Sequence, residues 1–229
     1  DLIGGIHAHL DECGDARAFT KNLASICTEK YGVKFHYNTD IQHIVKENGS
    51  ITAVKTDKGD FTADHYVMSL GSYSSIHLAK LGIQVPIYPM KGYSLTMPST
   101  LYSPKMSITD QEAKIVYSCL GDSLRIAGTA EFAGYDQSLK EKRITPILRA
   151  IKRLFPKAVP EDESTIDRWA CLRPSTPDGP PIIGKTPIKN LHMNTGHGTL
   201  GWTQAAGSAF LFADSFEGKA PEISLQGLT

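Results

Sequence analysis

Arg173 is one of the few residues of this sequence whose type and position suggest direct chemistry with a ligand. Residues 165–172 have the pattern of a strand, so Arg173 is expected at a strand end, directly before Pro174. A guanidinium in such a place can bind a carboxylate bidentately, through two parallel hydrogen bonds. The alternative is an ion-paired arginine at the surface, which the residue type alone does not exclude.

A glycine-spaced turn is the second candidate. Gly196, Gly198 and Gly201 follow the spacing G-x-G-x-x-G between a short predicted strand, residues 190–194, and a predicted helix. Such a turn offers backbone N–H groups and the positive end of the helix dipole to an anion. The full dinucleotide fingerprint also needs a second strand and an acidic residue about 20 positions further on. Asp214 follows Gly201 by only 13 residues, and no second strand is predicted after the helix. The turn is therefore either a loop that approaches a ligand or a helix start that packs closely through glycine.

Tyr93 and His197 are weaker candidates. Tyr93 lies in a predicted strand and could direct its phenol at a substrate, with amphipathic packing as the alternative. His197 lies between two glycines and could act as a base or as a donor to a bound group, with a structural role as the alternative. No nucleophile elbow and no paired carboxylates occur, and the four cysteines lack metal-ligand spacing. We therefore predict no metal site.

The elements that must position these residues fall into three blocks. In the first block, Asp15 is a typical helix N-cap, Gly32 ends the helix, and Asn48 and Gly49 mark a hairpin turn. The predicted strands of this block are residues 33–37, 41–45, 51–56 and 66–70.

The second and third blocks are richer in strands. The second is predicted to contain strands at 89–97, 115–119 and 124–129, then an amphipathic helix over 139–155 that Pro156 ends. The third is predicted to contain a strand at 165–172, a proline- and glycine-rich loop at 174–181, a strand at 190–194 and a helix from Trp202.

Composition limits the functional classes. The chain has 229 residues, 41% of them hydrophobic and 21% charged, as expected for a globular protein of one or two domains. Lys and Arg number 24, as do Asp and Glu, so the formal net charge is zero. Nucleic acid is excluded as a partner because it needs a surplus of basic residues. No apolar stretch approaches the roughly 20 residues that a membrane-spanning helix needs.

Several segments together resemble the small subunit of FAD-dependent D-amino-acid dehydrogenases, within the glycine/D-amino-acid oxidase family. The resemblance covers nearly the whole chain. Its segments are DECGD (11–15), SLGSYS (69–74), YPMKGYSLT (88–96), IAGTAEF (126–132), LRPSTPDGPPIIG (172–184) and NTGHGTLGWT (194–203). Members of the family begin with a βαβ ADP-binding motif, which this sequence lacks. We therefore interpret the chain as the C-terminal half of such an enzyme.

The resemblance implies an α+β fold. Residues 1–82 and 164–229 would be remnants of a discontinuous α/β FAD-binding domain, and residues 83–163 an antiparallel, β-rich substrate-binding domain with helices. Because part of the FAD domain would be missing, we expect the chain alone to carry little FAD and little activity. We also expect it to expose a sheet edge and an apolar patch.

The resemblance also implies roles for individual residues. Arg173 would hold the substrate carboxylate, and Tyr93 is retained as a second substrate contact. The backbone of Ile41 would touch the adenine of FAD, and Leu70 and Gly71 would lie near its diphosphate. The flavin ring would be approached by the turn residues Gly196, His197, Gly198, Thr199, Leu200 and Gly201. The dipole of the following helix would stabilise negative charge on the reduced flavin.

The activity implied is oxidative deamination of D-amino acids such as D-alanine. The Cα–H would leave as a hydride, and the imino acid would hydrolyse to a 2-oxo acid and ammonia. No catalytic side chain is assigned, because no base is needed if the amine enters neutral. Electrons would pass to a respiratory acceptor, which implies a cytoplasmic enzyme associated peripherally with the inner face of the bacterial plasma membrane.

Two alternatives stay open. The first is a glycine or sarcosine-type oxidase of the same family, which oxygen consumption would reveal, although the sequence near Tyr93 and Thr199 favours the dehydrogenase. The second is a non-catalytic fragment or partner subunit without FAD, which the flavin content of the purified chain would reveal.

Overall fold

Four α-helices and eleven strands make up the part of the chain that a computed structural model describes, residues 3–220 and residue 223. The helices are α1 (Ala16–Tyr31), α2 (Ser74–Lys80), α3 (Glu141–Leu154) and α4 (Gly201–Phe216). The strands are β1 (Ile41–Glu47), β2 (Ser50–Thr56), β3 (Gly59–Phe61), β4 (Tyr66–Met68), β5 (Tyr88–Pro98), β6 (Ile108–Asp110), β7 (Ile115–Leu120), β8 (Ser123–Phe132), β9 (Asp167–Ser175), β10 (Ile182–Lys185) and β11 (Leu191–Thr195). Single turns of 3-10 helix lie at Gly71–Tyr73, Pro156–Ala158 and Glu163–Thr165.

Local sequence signals set the ends of α1 and of the first hairpin, as predicted. The Asp15 carboxylate accepts hydrogen bonds of 2.9 and 3.1 Å from two backbone N–H groups of the first turn of α1. Gly32 follows the helix with a φ of 66°, a left-handed conformation that glycine adopts without strain. Asn48 and Gly49 have φ values of 50° and 78°, which a tight turn between β1 and β2 requires.

The strands form three sheets, and this mixture of helices and sheets confirms the predicted α+β class. The first sheet has the antiparallel order β1-β2-β3. The second has the order β10-β11-β4, in which β10 and β11 are antiparallel and β11 and β4 are parallel. The third has the order β6-β7-β8-β5-β9. Among the described residues β4 pairs on one side only, so it is an edge strand of its sheet.

The described residues divide into two compact units. Unit 1 comprises residues up to 35, 93–129 and 139–169, and unit 2 comprises residues 36–92, 130–138 and those from 170 onward. The domain boundaries predicted above, 1–82, 83–163 and 164–229, stay a prediction.

Each unit buries its own set of apolar side chains. In unit 1 the fully buried side chains include Tyr93, Leu95, Met97, Tyr117, Leu124, Ile126, Ile144, Ile147 and Ile151. In unit 2 one cluster joins the first hairpin, α2, β4 and β11 through Ile44, Ile51, Met68, Leu78, Leu81, Ile188, Leu191 and Met193. The Asn190 side chain fastens this hairpin, because its amide exchanges hydrogen bonds of 2.7 and 2.9 Å with the backbone of Ile51.

The structure corrects several predicted strands. Residues 33–37 form no strand, because alternation alone does not make one and no described residue pairs with this segment as a neighbouring strand. The strands β3, β6 and β10 were not predicted, since three or four residues are too few to show alternation. β4 ends at Met68, before the predicted residue 70.

β9 is longer than predicted and continues through Pro174 to Ser175, so Arg173 lies within the strand near its end. Proline is compatible with this place because a strand end does not need its missing N–H, and its carbonyl accepts a 2.8 Å hydrogen bond from the Gly198 N–H. Of the helices that the structure describes, none is both long enough and apolar enough to cross a membrane.

Candidate active site

The Arg173 side chain lies directly against the backbone of Gly92. A Cβ atom built on Gly92 would lie 2.5 Å from the Arg173 Cζ and Nη2 atoms and 2.9 Å from Nη1. Both residues belong to unit 2, and their strands, β5 and β9, are neighbours in the five-stranded sheet. Within the described part of the chain, the half-buried guanidinium has no hydrogen-bonding or ion-pairing partner. All five of its N–H donors are therefore available to a ligand.

The backbone on both sides of Arg173 is held by neighbouring segments. The Ser72 hydroxyl donates a 3.2 Å hydrogen bond to the carbonyl of Leu172. The Gly198 N–H donates to the carbonyl of Pro174. A Cβ atom on Gly71 would lie 3.8 Å from the Pro174 ring, so the backbone of Gly71 also approaches this strand end. Two sequence-predicted cofactor segments, the Gly71 turn and the glycine turn at 196–201, are thus brought to the substrate candidate Arg173.

The glycine turn adopts backbone conformations that favour glycine. Gly196 and Gly198 have φ values of 83° and 53°. A Cβ atom on Gly196 would lie 3.1 Å from the Thr176 side chain, so there is little room for one. α4 begins at Gly201, and the N-cap residue Leu200 provides no side-chain hydrogen bond to the first turn. The positive dipole end of α4 therefore has no side-chain cap from Leu200.

His197 is tied to α4. Its Nε2 atom lies 2.9 Å from the Ser208 hydroxyl, and Ser208 is 5% exposed. Burial lowers the pKa of the His197 imidazole, so the neutral ring is favoured. A neutral imidazole that is already hydrogen-bonded to the helix can fix the shape of the turn, and its role toward the cofactor stays a prediction.

Two buried side-chain oxygens flank the glycine turn without a hydrogen-bonding partner among the described residues. They are the Asn194 Oδ1 atom, at the end of β11, and the Gln204 Oε1 atom, in the first turn of α4. A buried acceptor that lacks a donor is costly, typically about 1–3 kcal/mol. An N–H or O–H group of a ligand that reached either oxygen would satisfy it.

Ile41 and Leu70 lie at one apolar pocket within unit 2, although 29 positions separate them in the sequence. The pocket is lined by Ile41, Ile44, Val54, Tyr66, Val67, Met68, Leu70 and Leu191. Such a lining suits an apolar group. Because Gly71 follows Leu70 directly, the pocket and the surroundings of Arg173 are adjacent along the chain.

Tyr93 follows Gly92 on β5 and is 1% exposed. Tyr93 belongs to unit 1, whereas Arg173 belongs to unit 2, and a substrate contact by Tyr93 stays a prediction.

Sequence reasoning did not assign a role to Gly92 or Lys91. A glycine within a strand can indicate close approach of another group, and this signal could have identified Gly92. Lys91 is fully buried and donates a 2.6 Å hydrogen bond from Nζ to the carbonyl of Ser138. Its Nζ also lies 3.5 Å from a carboxylate oxygen of Asp136. These contacts fasten the segment 130–138 to β5.

The sequence of the chain is similar to those of FAD-dependent oxidoreductases. The sequence model of the family described as DAO, FAD dependent oxidoreductase, matches residues 1–215. The D-amino acid dehydrogenase of Granulibacter bethesdensis is 47% identical over 224 residues, which are 97% of this chain and 53% of that protein. The D-amino acid dehydrogenase of Rhodopseudomonas palustris is 44% identical over 230 residues, 100% of this chain and 53% of that protein. The chain thus spans about half the length of the curated relatives it matches.

Solved structures show the same fold at lower sequence identity. A glycine oxidase from Geobacillus kaustophilus has a TM-score of 0.74 and 21% identity, and the match covers 86% of this chain and 53% of that one. An L-proline dehydrogenase from P. horikoshii has a TM-score of 0.76 and 19% identity, with 91% and 57% covered. At these identities the likeness concerns the fold alone.

Proposed function

The chain belongs to the DAO family of FAD-dependent oxidoreductases, and on that premise we propose that the full-length protein oxidatively deaminates D-amino acids such as D-alanine. The products would be a 2-oxo acid and ammonia. The similarity to D-amino acid dehydrogenases over the whole chain supports the D configuration and the class of reaction.

The Arg173 guanidinium is the observation that carries this proposal. It is half-buried and unpaired among the described residues, and the next residue, Pro174, accepts a backbone hydrogen bond from Gly198 of the glycine turn. A planar guanidinium with free donors binds a carboxylate in a fixed orientation. Arg173 would therefore hold the carboxylate of the amino acid and fix the direction of its Cα–H bond.

The described residues fit FAD at two places. The turn at 196–201, the N-terminus of α4, which lacks a side-chain cap, and the unpartnered oxygens of Asn194 and Gln204 would hold its polar groups. The pocket that contains Ile41 and Leu70 would hold its adenine, and Gly71 would lie near the diphosphate. When bound, FAD supplies the two-electron acceptor for the substrate hydride.

The chain's own residues orient the substrate and need not move a proton in the oxidation. His197 is hydrogen-bonded to Ser208, and burial lowers the pKa of its imidazole. An amine that enters neutral needs no base before hydride loss. The role of these residues is then to bind, orient and stabilise charge, with the dipole of α4 favouring negative charge near its N-terminus.

The electrons are proposed to pass to a respiratory acceptor, with the protein peripheral to the cytoplasmic face of a bacterial plasma membrane. The support is the name shared by the relatives, all dehydrogenases. An oxidase of the glycine or sarcosine type is the alternative enzyme. A chain without FAD that serves as a partner subunit is the alternative from another class.

Turnover by the purified full-length protein tests the proposal. With D-alanine and an artificial electron-acceptor dye, we expect reduction of the dye and release of pyruvate and ammonia. With L-alanine, and with oxygen as the sole acceptor, we expect little turnover. Rapid oxygen consumption would favour the oxidase, and an absence of bound flavin in the full-length protein would favour the non-catalytic alternative.

A further inference from the structure

We propose that Gly92 is a positioning residue for the Arg173 guanidinium, and that its lack of a side chain sets where the guanidinium meets a carboxylate. The inference rests on the proposed function, because it concerns the same carboxylate site. Gly92 would touch neither substrate nor cofactor and would act only through Arg173.

Close contact with Gly92 is the first support. A Cβ atom on Gly92 would overlap the guanidinium, at 2.5 Å from Cζ and from Nη2. Ordinary van der Waals contact begins at 3.4 Å, so a methyl group would displace the guanidinium by about 1 Å. The guanidinium therefore occupies space that only glycine leaves open.

The second support is that, among the described residues, polar contacts hold the backbone around Arg173 but not its guanidinium. The Leu172 and Pro174 carbonyls accept hydrogen bonds from Ser72 and Gly198. The guanidinium itself has no hydrogen-bonding or ion-pairing partner in the described part of the chain. The absence of a side chain at Gly92 therefore lets the guanidinium approach the backbone of β5 closely.

The third support is the rigidity of β5 at this point. Gly92 is buried, and the preceding residue, Lys91, is 0% exposed and bonded to the Ser138 carbonyl. The strand cannot readily retreat from an added methyl group, whereas the end of an arginine side chain can move. Gly92 is not among the glycines with positive φ, so alanine is compatible with its backbone. The substitution should therefore displace the guanidinium and leave the fold intact.

The consequence concerns carboxylate binding. Two parallel hydrogen bonds require the guanidinium plane at a defined position, and a misplacement of about 1 Å can lower catalytic efficiency about 10²-fold. The loss should appear for ligands with a carboxylate and not for a small amine without one.

The test uses the full-length protein with Gly92→Ala, Arg173→Ala and the double variant. Propionate, a carboxylate that cannot be oxidised by hydride loss from an amine-bearing carbon, is titrated by its perturbation of the flavin spectrum. Ethylamine is the matched ligand without a carboxylate. Flavin content and melting temperature are measured for each variant. Gly128→Ala is the control for crowding, because a Cβ atom there would lie 2.9 Å from the Ile115 side chain on another strand, and the three atoms nearest to it include none of a guanidinium.

We expect Gly92→Ala to weaken propionate binding at least tenfold and to lower kcat/KM for D-alanine about 10²-fold. Ethylamine binding, flavin content and melting temperature should match the wild type. Gly128→Ala should bind propionate and flavin as the wild type does, although crowding against the buried Ile115 should lower its melting temperature. In the Arg173→Ala background, Gly92→Ala should cause no further loss, because its effect acts through the guanidinium.

Three outcomes would overturn the inference. The first is unchanged propionate binding in Gly92→Ala. The second is that Gly92→Ala weakens propionate binding as much in the Arg173→Ala background as in the wild type. The third is a large fall in the melting temperature of Gly92→Ala, which would mean that the strand moves and the guanidinium does not.

Failure of the proposed function would give different results. In that case Arg173→Ala itself would bind propionate as the wild type does, or the full-length protein would not oxidise D-alanine.

Discussion

At the scale of single residues, Arg173 combines features that rarely occur together without a ligand. Its charge is half-buried, its donors have no partner among the described residues, and its backbone is fixed on both sides. Partial burial of an unpaired cation costs free energy, which binding of a carboxylate would offset.

Replacing Arg173 tests the carboxylate role. Charge-assisted hydrogen bonds contribute about 1.5–3 kcal/mol each, so losing two of them in Arg173→Ala should lower kcat/KM for D-alanine by 10²-fold or more. Arg173→Lys keeps the charge but not the planar fork and should recover only part of the activity. Flavin content should stay normal in both variants, since the residue is assigned to substrate. Steady-state kinetics of the full-length protein measure this, with a decarboxylated amine as the comparison substrate. Equal impairment with both substrates would contradict the role.

At the scale of elements, the sheet that contains β4 and β11 meets α4 at a pair of histidines. The His192 Nε2 atom lies 3.4 Å from the His65 Nδ1 atom, and His192 is 5% exposed. The rings of Phe212 and Phe216 lie 6.1 and 5.1 Å from the His192 ring. Burial, then the proximity of His65 and Lys185, lowers the pKa of His192.

This histidine pair predicts acid sensitivity of folding. A histidine whose pKa is lowered in the folded state binds a proton more readily when unfolded, so stability is full above pH 6.5 and falls as the pH drops below it. His77 and His197, whose pKa values burial also lowers, should act in the same direction. We expect the melting temperature of the chain to fall between pH 7.5 and pH 5.5, and to fall less in His192→Gln. The control is His43→Gln, at an exposed position on β1. An equal pH dependence in His192→Gln and the wild type would contradict the prediction.

The edge strand β4 predicts self-association of the 229-residue chain. Val67 and Leu70 are 47% and 37% exposed beside an apolar pocket. An open apolar edge is a site for pairing between chains. Light scattering should show a mass that rises with concentration, and Val67→Lys should reduce this association. Val116→Lys, on the interior strand β7, is the control because Val116 is also 36% exposed. A wild-type chain that stays monomeric at high concentration would contradict the prediction.

Elements whose signals are local could be predicted from the sequence, and those that depend on distant partners could not. Asp15, Gly32 and the turn at Asn48 and Gly49 act within a few residues, so their elements were predicted correctly. Whether 33–37 forms a strand depends on a neighbour that the local pattern does not specify. The candidate site likewise has one part with a local sequence signal and one part that depends on distant residues. The glycine turn was visible in the sequence, whereas the contact between Gly92 and Arg173 depends on how β5 and β9 are aligned.

At the scale of the whole molecule, the chain matches about half the length of its relatives, and we expect cofactor binding to be the property most affected. The chain provides a turn, a helix N-terminus and an apolar pocket, but its sequence contains no complete dinucleotide fingerprint. We expect the purified 229-residue chain to carry far less than one FAD per chain, and the full-length protein to carry one. Absorbance between 350 and 500 nm after gel filtration measures both. A stoichiometric flavin content in the 229-residue chain would contradict this expectation.

Anaerobic reduction of the flavin tests the central claim most directly, because it needs neither an electron acceptor nor product release. The full-length protein is mixed with D-alanine or L-alanine without oxygen, and the flavin absorbance near 450 nm is followed. The account predicts that D-alanine bleaches this absorbance at a rate that saturates with concentration, and that L-alanine leaves it unchanged. Flavin that stays oxidised with D-alanine and other D-amino acids, or that is reduced equally well by both enantiomers, would contradict the proposed function.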